Sequence, residues 1–278
     1  MNPGCTDALV TVRGLTKRYM QKRTWNGAKF VIDALLEANL TIPRGATFAL
    51  VGESGAGKST LAHCLALLEK PTEGEIWFDG TNLLTLNRKA LFPIRRQIQL
   101  IFQDPASSLN PRMSAAEIIA EPLLIQREGA KIERQRRALE LMELVGLPSA
   151  SAKNLPFEFS GGQRQRLAIA RALALRPKLL ILDEALSNLD LATQESILRL
   201  LRELQAGHSL TYIHVSHDLR MVSELDCEVA VMHAGRIVEQ KRVSTLFAHP
   251  EHPYTQVLLG AVEGAGTFNE EHLVEACR

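Results

Sequence analysis

The sequence predicts an α/β protein with a helical subdomain inserted into its core, and three observations carry that expectation. An apolar strand, Thr47–Val51, runs straight into a glycine-rich turn that ends in Lys58-Ser59 and opens a helix. A second apolar strand, Leu179–Leu182, ends in two carboxylates, Asp183 and Glu184. Between them, residues 104–158 offer no convincing strand and instead place apolar side chains at helical spacing.

The elements are expected in the following order. Leu9–Val12 is a short β-branched strand, and Leu35–Ile42 alternates apolar and polar residues as a half-buried strand does. Gln21–Lys29 is polar and contains Asn26-Gly27, a turn signal, so it reads as an exposed loop. After the strand Thr47–Val51, a helix is predicted over Lys58–Glu69, then strands at Glu75–Phe78 and Gln99–Phe102. In the inserted segment, Ile132–Val145 carries Ala138, Leu141, Met142 and Val145 on one helical face. The α/β pattern resumes with a helix over Gln163–Leu175, the strand Leu179–Leu182, a helix over Thr193–Gln205 and a strand at Thr211–Val215. Val229–Met232 and Arg236–Glu239 flank Ala234-Gly235 as a hairpin. From His249 a polar tail follows with one short helix near Tyr254–Val262. The expected division is a core of 1–103 and 159–248, a helical subdomain of 104–158 and a tail of 249–278.

Bulk properties narrow the function classes. The 278 residues include 46% hydrophobic and 23% charged side chains, enough chain for a substantial core. The 32 basic and 31 acidic residues balance to +1, which gives no electrostatic reason to expect nucleic-acid binding. Cys5, Cys64, Cys227 and Cys277 are too scattered for a CxxC metal or redox pair and read as reduced thiols. No apolar run is long enough to span a bilayer, and the N-terminus shows no basic-then-apolar leader pattern. Work at a membrane would therefore need other chains to hold this one there.

Three motifs carry chemistry. Gly52-Glu53-Ser54-Gly55-Ala56-Gly57-Lys58-Ser59 matches GxxxxGK[ST] between a predicted strand and a predicted helix. Its glycines let backbone N–H groups converge on phosphate oxygens, and the helix start adds partial positive charge. Lys58 can reach β- and γ-phosphates, and the Ser59 hydroxyl can ligate magnesium. Asp183, at the C-terminal edge of a buried strand, is expected beside this loop, where it can hold magnesium. Glu184, one residue on, can polarise an attacking water. Phe159-Ser160-Gly161-Gly162-Gln163 opens a helix carrying Arg164, Arg166 and Arg171 and makes a second anion-binding helix start. One nucleotide does not need two such starts from one chain, so this one makes sense if it serves the nucleotide of another subunit.

With these motifs in this order, the chain resembles the ATP-binding-cassette family over nearly its whole length. Gly52–Ser59 resembles the Walker A loop, Phe159–Gln163 the signature motif and Leu179–Glu184 Walker B with its catalytic glutamate. Gln103 matches the Q-loop glutamine, Ser187-Asn188-Leu189-Asp190 the D-loop, and His217 the switch histidine. Tyr19 is the candidate for the aromatic that stacks on adenine. The resemblance implies a P-loop ATPase core, RecA-like, with an N-terminal antiparallel β subdomain and an inserted α-helical subdomain. It implies ATP and Mg2+ as ligands. Glu184, His217 and Gln103 would be catalytic, and Ser59, Gln103 and Asp183 would serve the metal. Gly52, Glu53, Ser54, Gly55, Ala56, Gly57, Lys58, Ser59 and Thr60, with Tyr19, would bind nucleotide in cis. Ser160, Gly161, Gly162 and Gln163 would complete the nucleotide site of a partner cassette, and Asp190 would also bind nucleotide.

Within the family, Phe102-Gln103-Asp104-Pro105 through Asn110-Pro111-Arg112 and the tail His249-Pro250-Glu251-His252-Pro253-Tyr254-Thr255 resemble the peptide and nickel importer group. The tail histidines read as a Pro-bounded docking turn and not as a metal site. Ala185-Leu186 stands where most cassettes carry Pro-Thr, and Asp183–Asp190 together with His217-Asp218-Leu219-Arg220 resemble the second ATPase of nickel-type importers. With only Cys277 in the tail, no iron–sulfur cluster is expected. The resemblance thus implies a bacterial importer ATPase for nickel or another metal complex, with a di- or oligopeptide importer as the alternative. An ATPase acting on ribosomes or DNA, or a P-loop GTPase or small-molecule kinase, fits less well. The implied partners are two transmembrane permease subunits, a second and paralogous ATPase, and a substrate-binding protein, with the chain on the cytoplasmic face of the inner membrane.

Overall fold

A computed structural model describes residues 7–22, 29–104 and 108–263. The chain divides into two compact units, Met1–Leu86 with Ile213–Arg278, and Asn87–Tyr212.

The first unit opens with β1 (Ala8–Lys22) and β2 (Lys29–Pro43), which pair antiparallel over most of their lengths. β3 (Thr47–Val51), α1 (Lys58–Leu65), β4 (Glu73–Phe78) and the short β5 (Thr81–Asn82) follow. β2-β1-β4-β5 form an antiparallel sheet with Val10 opposite Ile42 on one side and Phe78 on the other. Leu9, Val10, Val12, Leu15, Ile42, Ile76 and Phe78 are buried there.

The second unit begins with α2 (Arg88–Arg95) and β6 (Ile98–Ile101). α3 (Ala115–Ile125), α4 (Lys131–Leu144) and α5 (Gly161–Leu173) come next, then β7 (Leu179–Asp183) and α6 (Leu191–His208). β6 and β7 pair in parallel, Ile98 opposite Leu179 and Ile101 opposite Leu182. Every residue of β7 is buried, which explains its unbroken apolar run: a parallel strand is covered on both faces.

β8 (Thr211–Ser216) leads back into the first unit, followed by α7 (Leu219–Ser223), β9 (Glu228–His233), β10 (Arg236–Arg242), α8 (Val243–Ala248) and α9 (Pro253–Glu263). β9 pairs in parallel with β3 and antiparallel with β10, as the Ala234-Gly235 hairpin requires. The mixed α/β architecture is the expected one.

Several expectations are corrected. The strand at Leu9–Val12 is the first part of a longer one, because backbone pairing continues through bulges near Gly14 after the apolar alternation stops. Gln21, Lys22 and Lys29 belong to strands; the rest of that predicted loop, including Asn26-Gly27, lies outside the described residues. The first helix ends at Leu65, not Glu69: Leu67 takes a left-handed φ of 59°, and the Leu68 N–H turns back to the His63 carbonyl. Phe102 lies just past β6. α2 and α3 were hidden by internal prolines, Pro93 and Pro122. α3 nevertheless carries a readable start signal, the Ser114…Glu117 capping box. The short helices α7 and α8 were also missed. The segment from His249 is not simply polar, since Tyr254 and Thr255 are buried.

Candidate functional site

The predicted residues fall into two groups, one in each unit. The first unit carries Tyr19, Gly52–Thr60 and His217; the second carries Gln103, Ser160–Gln163, Asp183, Glu184 and Asp190.

In the first unit the glycine-rich turn is gripped from behind by the β9–β10 hairpin. A Cβ on Gly52 would lie 2.2 Å from the Met232 carbonyl oxygen, and one on Gly57 would lie 2.4 Å from the Ala34 carbonyl. Both glycines have positive φ, 148° and 102°. Only glycine permits this approach. The Gly235 N–H donates to the Ala56 carbonyl at 3.0 Å. Lys58 is 4% exposed, and its ammonium donates to the Gly52 and Glu53 carbonyls at 2.7 and 2.8 Å. No side-chain cap hydrogen bond closes the start of α1, whose N-cap is Gly57. A tight loop, a buried ammonium and a helix start with a glycine N-cap together fit a phosphate chain. The Glu53 amide is already directed elsewhere: it donates to the Tyr254 hydroxyl at 3.0 Å.

Tyr19 lies on β1 with its ring 4.7 Å from the Lys17 ammonium. Lys17 is in turn fixed by Glu69 at 2.9 Å and the Lys70 carbonyl at 2.8 Å, and its hydrogen bond to Glu69 raises its pKa. His217 is exposed and follows β8 directly.

In the second unit Asp183 closes β7 and is buried, while Glu184 begins the turn with φ at 49°. A non-glycine residue held in the left-handed region is uncommon and concentrates at functional sites. The Ser187 hydroxyl and N–H both donate to the Glu184 carbonyl, at 2.8 and 3.2 Å, which holds that turn. Ala185 and Leu186 are buried, and the Gln194 side chain donates to the Leu186 carbonyl at 2.8 Å. Gln103 is exposed just beyond β6.

α5 starts at Ser160 with a complete capping box: the Gln163 N–H donates to Ser160 Oγ at 3.3 Å, and the Ser160 N–H donates to Gln163 Oε1 at 2.9 Å. Asp190 caps α6, accepting from the Thr193 N–H at 3.0 Å and hydroxyl at 2.7 Å. Those Thr193 bonds lower its pKa. The two helix starts touch, because a Cβ on Gly162 would meet Thr193 Cγ2 at 2.5 Å. Thr193 and Gln194, which hold this junction, were not singled out from sequence; the only signal was their place three and four residues after Asp190.

The arginines of α5 donate to the protein itself. Arg164 donates to the Phe159 carbonyl, Arg166 to the Val145 carbonyl and Ser196, and Arg171 to the Ser108 carbonyl and Glu121. They brace the helix. Cys64 and Cys227 are buried thiols whose pKa burial pushes up to about 11 and about 12, so neither is a ready nucleophile.

Comparison with known proteins adds a second line of observation. The family model described as ABC transporter matches residues 35–187. A Sinorhizobium fredii protein named as a probable peptide ABC transporter ATP-binding protein is 46% identical over 257 residues, 92% of this chain and 73% of the relative. A Brucella abortus protein named for peptide import is 46% identical over 240 residues, covering 86% of this chain and 72% of its own length. Among solved structures, a dimeric ATP-binding cassette in a post-hydrolysis state with ADP and Pi superposes with a TM-score of 0.74. It is 33% identical and covers 84% of this chain and 98% of that one. A Clostridium perfringens subunit of an ABC transporter complex gives the same TM-score at 29% identity, over 97% of this chain and 99% of its own.

Proposed function

Because the chain belongs to the ABC transporter family and is its ATP-hydrolysing component, we propose that it drives a bacterial importer of di- or oligopeptides. The single observation that carries the peptide reading is the naming of its relatives for peptide transport at 43–46% identity. The nickel expectation finds no support there. It rested on Ala185-Leu186 with the residues around them and on His217–Arg220, and Ala185 and Leu186 are buried packing residues that mark kinship and not specificity.

In this reading the backbone of Gly52–Thr60 cradles the phosphates of ATP, and Lys58 neutralises charge on the β- and γ-phosphates. Tyr19 supports the base. Ser59, Asp183 and Gln103, with the hard oxygen donors Mg2+ prefers, would hold that ion, which would supply neutralisation of phosphate charge. Glu184 polarises the attacking water, with His217 and Gln103 contacting the γ-phosphate. Ser160–Gln163 and Asp190 complete the site of a second, paralogous ATPase, so turnover needs two cassettes. Residues 104–158 form the helical subdomain that meets two permease subunits, and a substrate-binding protein delivers cargo from the other side. No helix among the described residues is long and apolar enough to cross a membrane, which suits a subunit held at the cytoplasmic face by those partners.

The test is uptake in a deletion strain complemented with this chain, comparing labelled di- and tripeptides with labelled nickel at limiting concentration. Restored peptide uptake supports the proposal. Restored nickel uptake with no effect on peptides overturns it.

A further inference from the structure

The tail segment from His249 is built onto β10 by a set of polar contacts. Glu239 lies on β10 with its side chain 5% exposed. Its two carboxylate oxygens accept from consecutive backbone amides, Glu251 N–H and His252 N–H, each at 3.0 Å. Lys241 bridges Glu239 Oε1 to the turn: its ammonium lies 3.0 Å from that oxygen and 2.8 Å from Glu251, and donates to the His249 carbonyl at 3.2 Å. His252 Nδ1 accepts from the Tyr254 N–H at 3.2 Å, and the Gln256 side chain donates to the Pro250 carbonyl. The turn therefore delivers Tyr254 in one orientation.

Tyr254 is 3% exposed, and its ring packs on His233 with centroids 4.0 Å apart. His233 ends β9, next to Met232, whose carbonyl abuts Gly52. From this seat the Tyr254 hydroxyl accepts the Glu53 N–H of the phosphate loop, 201 residues away in sequence.

We infer that Tyr254 is a positioning residue for ATP binding: it fixes the first turn of the phosphate loop in its nucleotide-ready form, and the tail turn exists to hold it there. Without the hydroxyl, the Glu53 amide turns to water and the loop samples other conformations. Apparent affinity then falls by the fraction of molecules still competent. ATP at saturation selects the competent form, so the rate of the chemical step changes little. The coupling is reciprocal: nucleotide on the loop must also stabilise the tail turn.

This inference rests on Gly52–Thr60 being the nucleotide loop, and the experiment separates the two. The full-length chain is compared as wild type, Tyr254→Phe and Lys58→Ala. Phenylalanine keeps the ring and its packing on His233 and removes one oxygen. The expected result for Tyr254→Phe is a rise of about five-fold in the Kd for ATP, the loss that one backbone hydrogen bond accounts for. In the assembled transporter the same variant raises KM for ATP similarly and changes kcat less than about two-fold. Hydrogen exchange at residues 251–256 should slow on adding ATP in wild type and not in the variant. Wild-type Kd and KM in Tyr254→Phe overturn the inference, as does a fall in kcat with KM unchanged. Unimpaired ATP binding by Lys58→Ala overturns the loop assignment on which it stands.

Discussion

α1 starts at Gly57, in the left-handed region and with no side-chain cap, whereas α5 starts at Ser160, in extended backbone and with both halves of a capping box made. Glycines lie before the start of α1 and in the first turn of α5, and from sequence both read as anion-binding helix starts. The first is shaped from outside, by the Met232 and Ala34 carbonyls, the Gly235 amide and the Tyr254 hydroxyl. The second is shaped from within, by Ser160 and Gln163 closing on each other. A start moulded by the surrounding fold can hold its donors ready for a ligand that comes and goes. A self-capped start keeps its shape alone, which suits the role proposed for it, a surface that meets another subunit's nucleotide only on closure.

The largest test of this contrast separates binding from chemistry. Glu184→Gln removes the carboxylate proposed to polarise the attacking water and leaves the glycine-rich loop untouched. ATPase of the assembled complex should drop at least about 100-fold, while the ATP affinity of the purified chain stays within about two-fold. Comparable loss of both would mean that Glu184 shapes the binding site and is not confined to the chemical step.

The next concerns the externally moulded loop. Gly52→Ala sets a methyl 2.2 Å from a backbone carbonyl, at φ 148°. Neither can yield without moving β9. The expected cost is about 3 kcal/mol, or roughly 6 °C in Tm for a chain this long. ATP affinity should fall with it, and calorimetry beside nucleotide titration checks both.

How much of this was legible beforehand follows from the range of the forces involved. The phosphate loop, the apolar run of β7 and the Ser160 helix start are local patterns, so sequence displays them. The polar half of β1 is not: Lys17–Lys22 is held by backbone pairing to β2, and its side chains show no apolar alternation. The internal prolines Pro93 and Pro122 concealed two helices whose start signals, Asn87 and Ser114, were in view. The Gly162–Thr193 and Glu53–Tyr254 contacts join residues 31 and 201 apart in the chain. No spacing rule reaches across such separations, so only the fold reveals what holds each helix start.

A smaller effect tests the tail's hold on the loop. Burial pushes the Glu239 carboxyl up, yet the Glu251 and His252 amides, with the Lys241 ammonium, hold it down at about 2. Its folded pKa is thus below the unfolded value near 4.3. The stabilisation is fully present above that value and is lost as pH falls toward about 2. Glu239→Gln should cost about 2 kcal/mol at pH 7, and the gap in Tm from wild type should narrow between pH 4.5 and pH 3. A gap constant across that window would mean that the carboxylate's charge contributes nothing.

The smallest effect probes the junction between α5 and α6, where the two helix starts of the second unit meet. Gly162→Ala places a methyl 2.5 Å from Thr193 Cγ2. Unlike the carbonyl facing Gly52, that neighbour is a side-chain methyl, and chemistry can remove it. Overpacking of this kind costs about 1–3 kcal/mol, but alanine is about 1 kcal/mol better than glycine inside a helix. The second term offsets part of the first, so the single variant should lose no more than about 2 kcal/mol. Thr193→Ser deletes Cγ2 and retains the hydroxyl that bonds Asp190. In the double variant the clash is gone and the helix propensity gain remains, so stability should return to the wild-type value or pass it. The measurement is a double-mutant cycle by urea unfolding, with a favourable interaction energy of about 1 kcal/mol or more expected for residues in direct contact. No comparable rescue exists for Gly52→Ala, because its obstacle is backbone. Additive single effects at 162 and 193 would show that the α5 start can shift away from α6 freely, and the self-capped helix would then be shaped by Ser160 and Gln163 alone.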